Sequence, residues 1–321
     1  MNIVKKLAAL GLALLLLTGC AGTVENEPQH VALIAKSKNS EFFKSVFAGA
    51  NAASSEYDIR LTIDGPETEE DVETQNELID KAVADGADAI VLSAISYEGN
   101  ADAVNRAAAH GVKIVVFDSD VDSDRVQVRI GTDNIAAGQK AAQAAFKEEG
   151  ELEIGIVNYD TSSRNGQERE KGFRMIASHT ERVRRIHTIN VLAEQADAQI
   201  KTMELLQENP EINVLVAFNE PTCVGAAMAV EELGLAGKIR MVGFDSNVEA
   251  VEMLQDGVIS ALVVQNPYAM GYLGVEAACN LLNGKSGKIY DPAALVDTPT
   301  VVVDQENMFT IEGQKVLFSF Q

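Results

Sequence analysis

Four strand ends and one loop carry groups suited to holding a small, hydroxyl-rich molecule. The predicted strand Lys113–Phe117 ends in Asp118, and Val214–Ala217 runs into Phe218, Asn219 and Glu220. Ile239–Val242 runs into Gly243, Phe244 and Asp245, and Ser260–Val264 ends in Gln265, Asn266 and Pro267. The fifth group follows strand Val31–Ala35: a polar loop, Lys36–Ser40, then a helix opening on Phe42 and Phe43. Ser40 suits the N-cap, and Glu41 the positive helix end. A carboxylate accepts from two adjacent hydroxyls, and a primary amide both accepts and donates. An aromatic face covers the apolar C–H side of a ring. Neighbouring helical residues point about 100° apart, so one phenylalanine can face the core while the other faces the loop crevice. In open α/β sheets ligands sit in the crevice beyond the strand carboxyl ends, which sends all five groups to one place.

The elements that must position them alternate strand and helix nearly throughout. A first series has strands Val31–Ala35, Ile59–Ile63, Ala89–Leu92, Lys113–Phe117 and Gln127–Ile130, with helices between. Gly86 and Gly111 fall just past helix ends, where a left-handed residue is wanted. A second series has strands Glu153–Val157, Val183–Ile189, Val214–Ala217 and Ile239–Val242 with their helices. Short apolar strands alternating with helices predict parallel sheets covered on both faces, with right-handed crossovers. The break lies near Asp133, and Asp133-Asn134 reads as a helix cap at the boundary. A leftover strand (Ser260–Gln265), helix (Tyr268–Leu282) and final strand (Val301–Val303) follow the second series, so the chain is expected to recross. The fold class is α/β: two doubly wound parallel-sheet lobes joined by a multi-strand hinge. The expected division is residues 31–132 plus 266–296 for the N-terminal lobe, and 133–265 plus 297–321 for the C-terminal lobe and tail. Phe309, Val316, Leu317 and Phe318 suggest that the tail docks on a lobe.

Only the N-terminus is membrane-like. Lys5 and Lys6 precede an apolar run, Leu7–Leu17, too short to span a bilayer and built like a signal peptide. Leu17-Thr18-Gly19-Cys20 resembles a bacterial lipobox, which implies cleavage after residue 19 and diacylglycerol on Cys20. Two acyl chains suffice for stable anchoring. Residues 20–30 then read as a polar, lipid-anchored linker, and all that follows as extracytoplasmic. A net charge of −22 argues against nucleic-acid binding, which wants a basic face. Cys223 and Cys279 lie in apolar helical stretches and read as small buried residues; no CxxC occurs.

The chain resembles the sugar-binding type I periplasmic-binding-protein family, nearest its ribose-binding branch, over about residues 31–304. NSEFFKSVFAGA, DGADAIVLSA, GVKIVVFDSD, GTDNIAAGQKAA, QEREKGF, FNEPTCVGAAMAV, MVGFDSN and VQNPYAMG carry the resemblance, in this order. It implies a non-enzymatic protein, expected as a monomer without cofactor. Its lobes would close on a sugar, and the closed form would dock on an ABC permease or, alternatively, report to a membrane kinase or chemoreceptor. It also implies a ligand-binding set of Ser40, Phe42, Phe43, Asp118, Asn219, Asp245 and Gln265, with Ser119, Gln167 and Asp197 expected at three further ligand-binding positions. Three matched positions depart from the ribose pattern. Ser119 and Gln167 stand where ribose binders place arginines, and Asp197 where they place a second-lobe aromatic. The cleft is therefore expected to be acidic, suiting a sugar, polyol or amino sugar, unless Arg164 or Arg169 reaches in from the nearby loop. The chain has no Trp, which disfavours a tryptophan-stacked hexose site.

Other chemistries find no support in the spacing. Asp118, Asp120, Asp122 and Asp124 alternate, but the glycine and glutamate of a calcium loop are missing. Gly284-Lys285-Ser286 lacks the first glycine of a phosphate loop, and no GxGxxG follows the first strand. The four histidines are scattered, no HExxH occurs, and no metal site is expected.

Overall fold

The computed structural model describes residues 28–147, 149–159, 162–284, 291 and 294–318. The signal segment, Cys20 and most of the 20–30 linker lie outside the described residues, as do part of the Asn283–Lys288 loop and the last three residues. Among the described residues no helix is long and apolar enough to cross a membrane.

Two six-stranded sheets form. The first contains β1 (His30–Ile34), β2 (Arg60–Asp64), β3 (Ala89–Leu92), β4 (Lys113–Phe117), β5 (Val126–Gly131) and β11 (Leu295–Asp297), in the order β11-β5-β4-β3-β1-β2. The second contains β6 (Leu152–Tyr159), β7 (Val183–Val191), β8 (Val214–Ala217), β9 (Arg240–Phe244), β10 (Ala261–Val264) and β12 (Val301–Asp304), in the order β12-β10-β9-β8-β6-β7. All neighbours are parallel except β10 and β12. Central strands are buried on both faces and read as unbroken apolar runs, such as AIVL in β3 and ALVV in β10. The edge strand β2 alternates exposed with half-buried residues instead. Each sheet has an apolar layer on either face.

The helices are α1 (Glu41–Tyr57), α2 (Val72–Ala84), α3 (Ala101–Ala109), α4 (Asn134–Ala145), α5 (Arg164–Ala177), α6 (Gln195–Glu208), α7 (Glu220–Glu232), α8 (Val248–Gln255), α9 (Pro267–Leu282) and α10 (Ile311–Leu317). The chain passes between lobes three times, after β5, after β10 and after β11. The crossings lie side by side: Thr298 N donates to Gly131 O at 2.7 Å, and Thr132 Oγ1 donates to Gln265 Oε1 at 3.0 Å. β11 was not expected from sequence; three residues beside turn-forming ones give too little pattern. The tail docks on the second lobe, with Met308 and Leu317 in its core. Cys223 and Cys279 are free and buried.

Asp133 caps α4, its carboxylate accepting from Ala136 N at 2.9 Å. Asn134 does not share that role: its side chain is buried and accepts from Arg169 Nε at 2.9 Å. Ser40 holds the N-cap position of α1 without a side-chain capping bond.

Candidate functional site

Both sheets point their carboxyl ends at a common gap. Each carries the 2-1-3-4-5 strand order, whose switch point lies beside the first strand of the lobe. In the first lobe that point feeds the Lys36–Ser40 loop and α1; in the second it feeds Tyr159 and α5. Between them is a cavity lined from the first lobe by Lys36, Ser40, Phe42, Phe43, Glu69 and Asp118. Tyr159, Asn165, Arg169, Asn219, Glu220, Pro221 and Asp245 line it from the second lobe, and Gln265 lines it at the crossing.

The two phenylalanines divide their work as their helical spacing requires. Phe43 is buried against Phe117, with centroids 6.4 Å apart, while Phe42 is half-buried and edges onto Phe43. Asp118 takes a left-handed conformation (φ 57°) at the end of β4. Its carboxylate accepts from Ser93 Oγ at 2.8 Å and, across the gap, from Asn165 Nδ2 at 3.1 Å. Lys36 Nζ lies 3.8 Å from Asp118 and 4.0 Å from Glu69, and donates across the gap to Ser163 Oγ at 3.0 Å.

In the second lobe Arg169 is fully buried. It donates to Asn134 Oδ1, to Phe218 O at 2.7 Å and to Gln265 Oε1 at 2.7 Å, and lies 4.7 Å from the Phe244 ring centre. Gln265, held by Arg169 and Thr132 on its oxygen, donates from Nε2 to Asp245 at 2.8 Å. Asp245 is also left-handed, at φ 67°. Asn219 caps α7 with its side-chain oxygen, in a capping box with Thr222. Its Nδ2 is buried and makes no hydrogen bond. Such an orphan donor costs about 1–3 kcal/mol and marks a place for a missing acceptor.

Burial shapes the charges. Desolvation is the main cause in three carboxyls: it pushes Asp245 up to about 6, against the pull of Arg169, and raises Glu69 and Glu220 to about 7. Glu220 also lies across the gap from the first lobe: its Oε2 accepts from Phe42 N at 3.0 Å. Desolvation likewise raises the Tyr159 hydroxyl strongly; that hydroxyl donates to Asn165 Oδ1 at 2.6 Å.

Further bonds hold the lobes together at the rim. Tyr97 N donates to Ser162 O at 3.1 Å and Ala193 N to Glu70 Oε1 at 3.0 Å. The space left at the centre is about 20 Å³, room for one water-sized molecule. A larger ligand must enter with the lobes apart and take over contacts now made between side chains.

Ser40, Phe42, Phe43, Asp118, Asn219, Asp245 and Gln265 thus line one cavity. Ser119, Gln167 and Asp197 do not. Ser119 is buried beside Asp118 and lines a neighbouring cleft with Asp120 and Arg129. Gln167 sits about half a helical turn from Arg169, in a rim cleft with Tyr97 and Arg164. Asp197 lies in the first turn of α6, where it accepts from Leu192 N and pairs with Lys201, both at 2.7 Å. Arg164 stays at the rim over the Tyr97 ring, whereas Arg169 forms part of the wall. The cavity therefore holds two buried basic side chains, Lys36 and Arg169, among four carboxyls: of the two arginines left open by the sequence, Arg169 reaches in and Arg164 does not, and carboxyls still outnumber basic groups. Lys36, Glu69, Tyr159 and Asn165 were missed, and Glu220 was placed at a strand end but left out of the binding set. The signal available was position alone: Tyr159 is the last residue of the first strand of its lobe, and Lys36 follows the first strand of the other by two residues.

The model of the periplasmic binding protein domain matches residues 31–286. The chain belongs to that family. This binding protein is 27% identical over 312 residues to the D-ribose/D-allose-binding protein of Pseudomonas aeruginosa, covering 91% of this chain and 96% of the relative. It is 27% identical over 273 residues to the D-allose-binding periplasmic protein of Escherichia coli, covering 80% and 85%. Among solved structures, it matches an ABC-transporter solute-binding protein of Agrobacterium vitis with bound D-fucose. The TM-score is 0.85 at 30% identity, covering 90% of this chain and 100% of the other. The fold is the two-lobed α/β architecture of that family.

Proposed function

We propose that this protein captures a small sugar or sugar-like molecule between its lobes, outside the cytoplasmic membrane, and delivers it to an ABC permease. Cleavage after residue 19 and a lipid on Cys20 would tether it to the membrane, and it performs no covalent chemistry. The observation carrying the reading is the convergence of Phe42, Asp118, Asn219, Asp245 and Gln265, scattered along the sequence, on one inter-lobe cavity. The ring faces and polar groups there suit a molecule with apolar C–H faces and several hydroxyls. The unpartnered Nδ2 of Asn219 gains an acceptor when a hydroxyl oxygen arrives. Hydroxyls replacing the Asn165 and Lys36 contacts would bond both lobes at once, favouring the closed state. Each net bond contributes about 0.5–1.5 kcal/mol, so micromolar affinity, about −8 kcal/mol, needs most of the set acting together.

The relatives' sugars set the order of testing: ribose, allose, D-fucose and arabinose first, then polyols and amino sugars. A ligand selective for the folded protein raises the melting temperature. At least one sugar is expected to raise it by several degrees and to show one site by calorimetry. A panel in which no member shifts the melting temperature or releases heat would overturn the reading.

A further inference from the structure

Far from the cavity, three side chains from separate segments aim at one point. Glu153 stands near the start of β6, His187 in the middle of the edge strand β7, and Glu211 in the turn before β8. One ligand atom from each lies within 4.8 Å of the others. We propose that Glu153, His187 and Glu211 bind one divalent transition-metal ion, of the zinc class.

The scaffold is firm. In the parallel register Gly155 stands beside His187, and Glu153 lies two residues before Gly155, so both side chains fall on one face of the sheet. The turn carrying Glu211 is fastened to β6: Asn213 N donates to Glu153 O at 3.0 Å, and Asn213 Oδ1 accepts from Glu153 N at 3.1 Å. His187 Nε2 is 3.9 Å from Glu153 Oε2 and 3.8 Å from Glu211 Oε1, beyond hydrogen-bond length. His187 Nε2 and Glu153 Oε2 are both shielded from solvent and lack any hydrogen-bond partner. Two buried polar atoms converging without bonding each other lose their hydration and gain no bond in return. A proton on the imidazole would supply attraction but no bond at these lengths. An ion about 2.0–2.2 Å from each atom satisfies all of them. Tetrahedral ligand atoms stand about 3.4 Å apart at such bond lengths, so the two distances to His187 must shorten by about half an ångström, and the two carboxylate oxygens must approach each other by up to about 1.4 Å. The side chain of Glu211, 45% exposed, can supply its share of that movement, and a small rotation of the Glu153 carboxylate must close its distance to His187.

One imidazole with two carboxylates suits zinc and its neighbours; calcium and magnesium prefer all-oxygen shells. The open side at Glu211 admits a water as fourth ligand. Glu153 precedes Tyr159 by six residues along β6, about 20 Å at strand rise, so the ion would staple the edge strand without touching the cleft.

The test uses the tag-free mature protein, stripped with chelator and titrated with zinc sulfate by calorimetry and thermal melting. One equivalent should bind and raise the melting temperature. His187→Asn and Glu153→Gln should each weaken zinc binding at least tenfold while keeping the far-UV circular dichroism of the parent; Glu211→Gln, at the exposed turn, serves if either fails to fold. Magnesium should not substitute. Absence of zinc binding, zinc binding unaffected by these variants, or an equal response to magnesium would each overturn the proposal. None of these outcomes depends on whether the cleft binds a sugar.

Discussion

Asp118 and Asp245 occupy equivalent places in the two lobes. Each follows a phenylalanine at the end of the fourth strand in the 2-1-3-4-5 order, within the related runs VVFDSD and VGFDSN. Both are left-handed, and both amides donate at 3.0 Å to the neighbouring strand, to Ile130 O and Val263 O respectively. Their carboxylates differ. Asp245 is held by Gln265 within the network of Arg169, so its surroundings persist when the lobes part. Asp118 bonds Asn165 across the gap, and the ammonium beside it reaches across to Ser163. The backbone geometry is a property of the fold and is repeated. What each carboxylate meets depends on the loop opposite, so the first-lobe aspartate responds to closure and the second-lobe aspartate is in place before it.

The helices repeat the same logic. In each lobe the helix after the first strand packs against the helix that the chain brings over from the other lobe: α1 on α9, and α5 on α4. Each pair meets backbone to backbone through two glycines. A Cβ on Gly49 would stand 2.0 Å from Tyr268 O, and one on Gly271 2.0 Å from Val46 O; on Gly138 it would stand 2.0 Å from Arg169 O, and on Gly172 2.1 Å from Ile135 O. No side-chain rotation relieves a clash with backbone. Gly49→Ala and Gly138→Ala should therefore show the largest effects, each destabilising by about 3 kcal/mol or more, measured by urea unfolding. Should one be tolerated and the other not, the equivalence of the two interfaces is broken.

The aspartates come next. Asparagine keeps the size and tolerates the left-handed backbone, so Asp118→Asn and Asp245→Asn isolate the charge. Hydrogen bonds to charged groups contribute about 1.5–3 kcal/mol, so each variant should weaken sugar binding at least tenfold by calorimetry. The comparison predicts a difference in shape as well. Asp118→Asn should enlarge the unliganded protein in small-angle scattering, because a closure contact is weakened; Asp245→Asn should leave its dimensions unchanged. Unchanged affinity in both variants would remove them from the binding set.

The alternation of strands and helices made the two lobes legible, because buried parallel strands are unbroken apolar runs such as ALVV. The strand ends led to Asp118, Asn219, Asp245 and Gln265 for the same reason: topology alone sends them to the gap. What stayed hidden depends on side-chain reach. Lys36 is a polar-loop residue in sequence, and only folding draws its ammonium inward past Asp118. Gln167 and Arg169 lie two residues apart on α5, so about 200° of helical rotation separates a rim residue from a wall residue. Asp197 misses because its carboxylate closes the turn at the start of its own helix. Glu153, His187 and Glu211 stand 34 and 24 residues apart, a spacing no local motif records.

The smallest effect tests how closure and protonation are joined. Glu220 sits at the first turn of α7 with one oxygen on Phe42 N of the first lobe and the other on Asn247 Nδ2 at 3.2 Å. Desolvation, with the nearby Asp245 adding to it, raises its carboxyl to about 7. A carboxyl raised on burial means that the closed form holds its proton more tightly than the open or unfolded form. Its stabilising contribution is then fully present below the ordinary value of about 4.5 and is lost as pH rises through about 7. Acidification from pH 8 to 6 should favour the closed, unliganded form by about 1 kcal/mol from this group, read as a higher melting temperature and a smaller radius of gyration. Glu220→Gln keeps an acceptor for Phe42 N and removes the titration. At pH 8 it should be shifted toward the parent's behaviour at pH 6, with a flatter pH profile between them, Glu69 and Asp245 supplying the remaining slope. A profile as steep in the variant as in the parent would assign the dependence to Glu69 and Asp245, whose carboxyls are raised by the same burial.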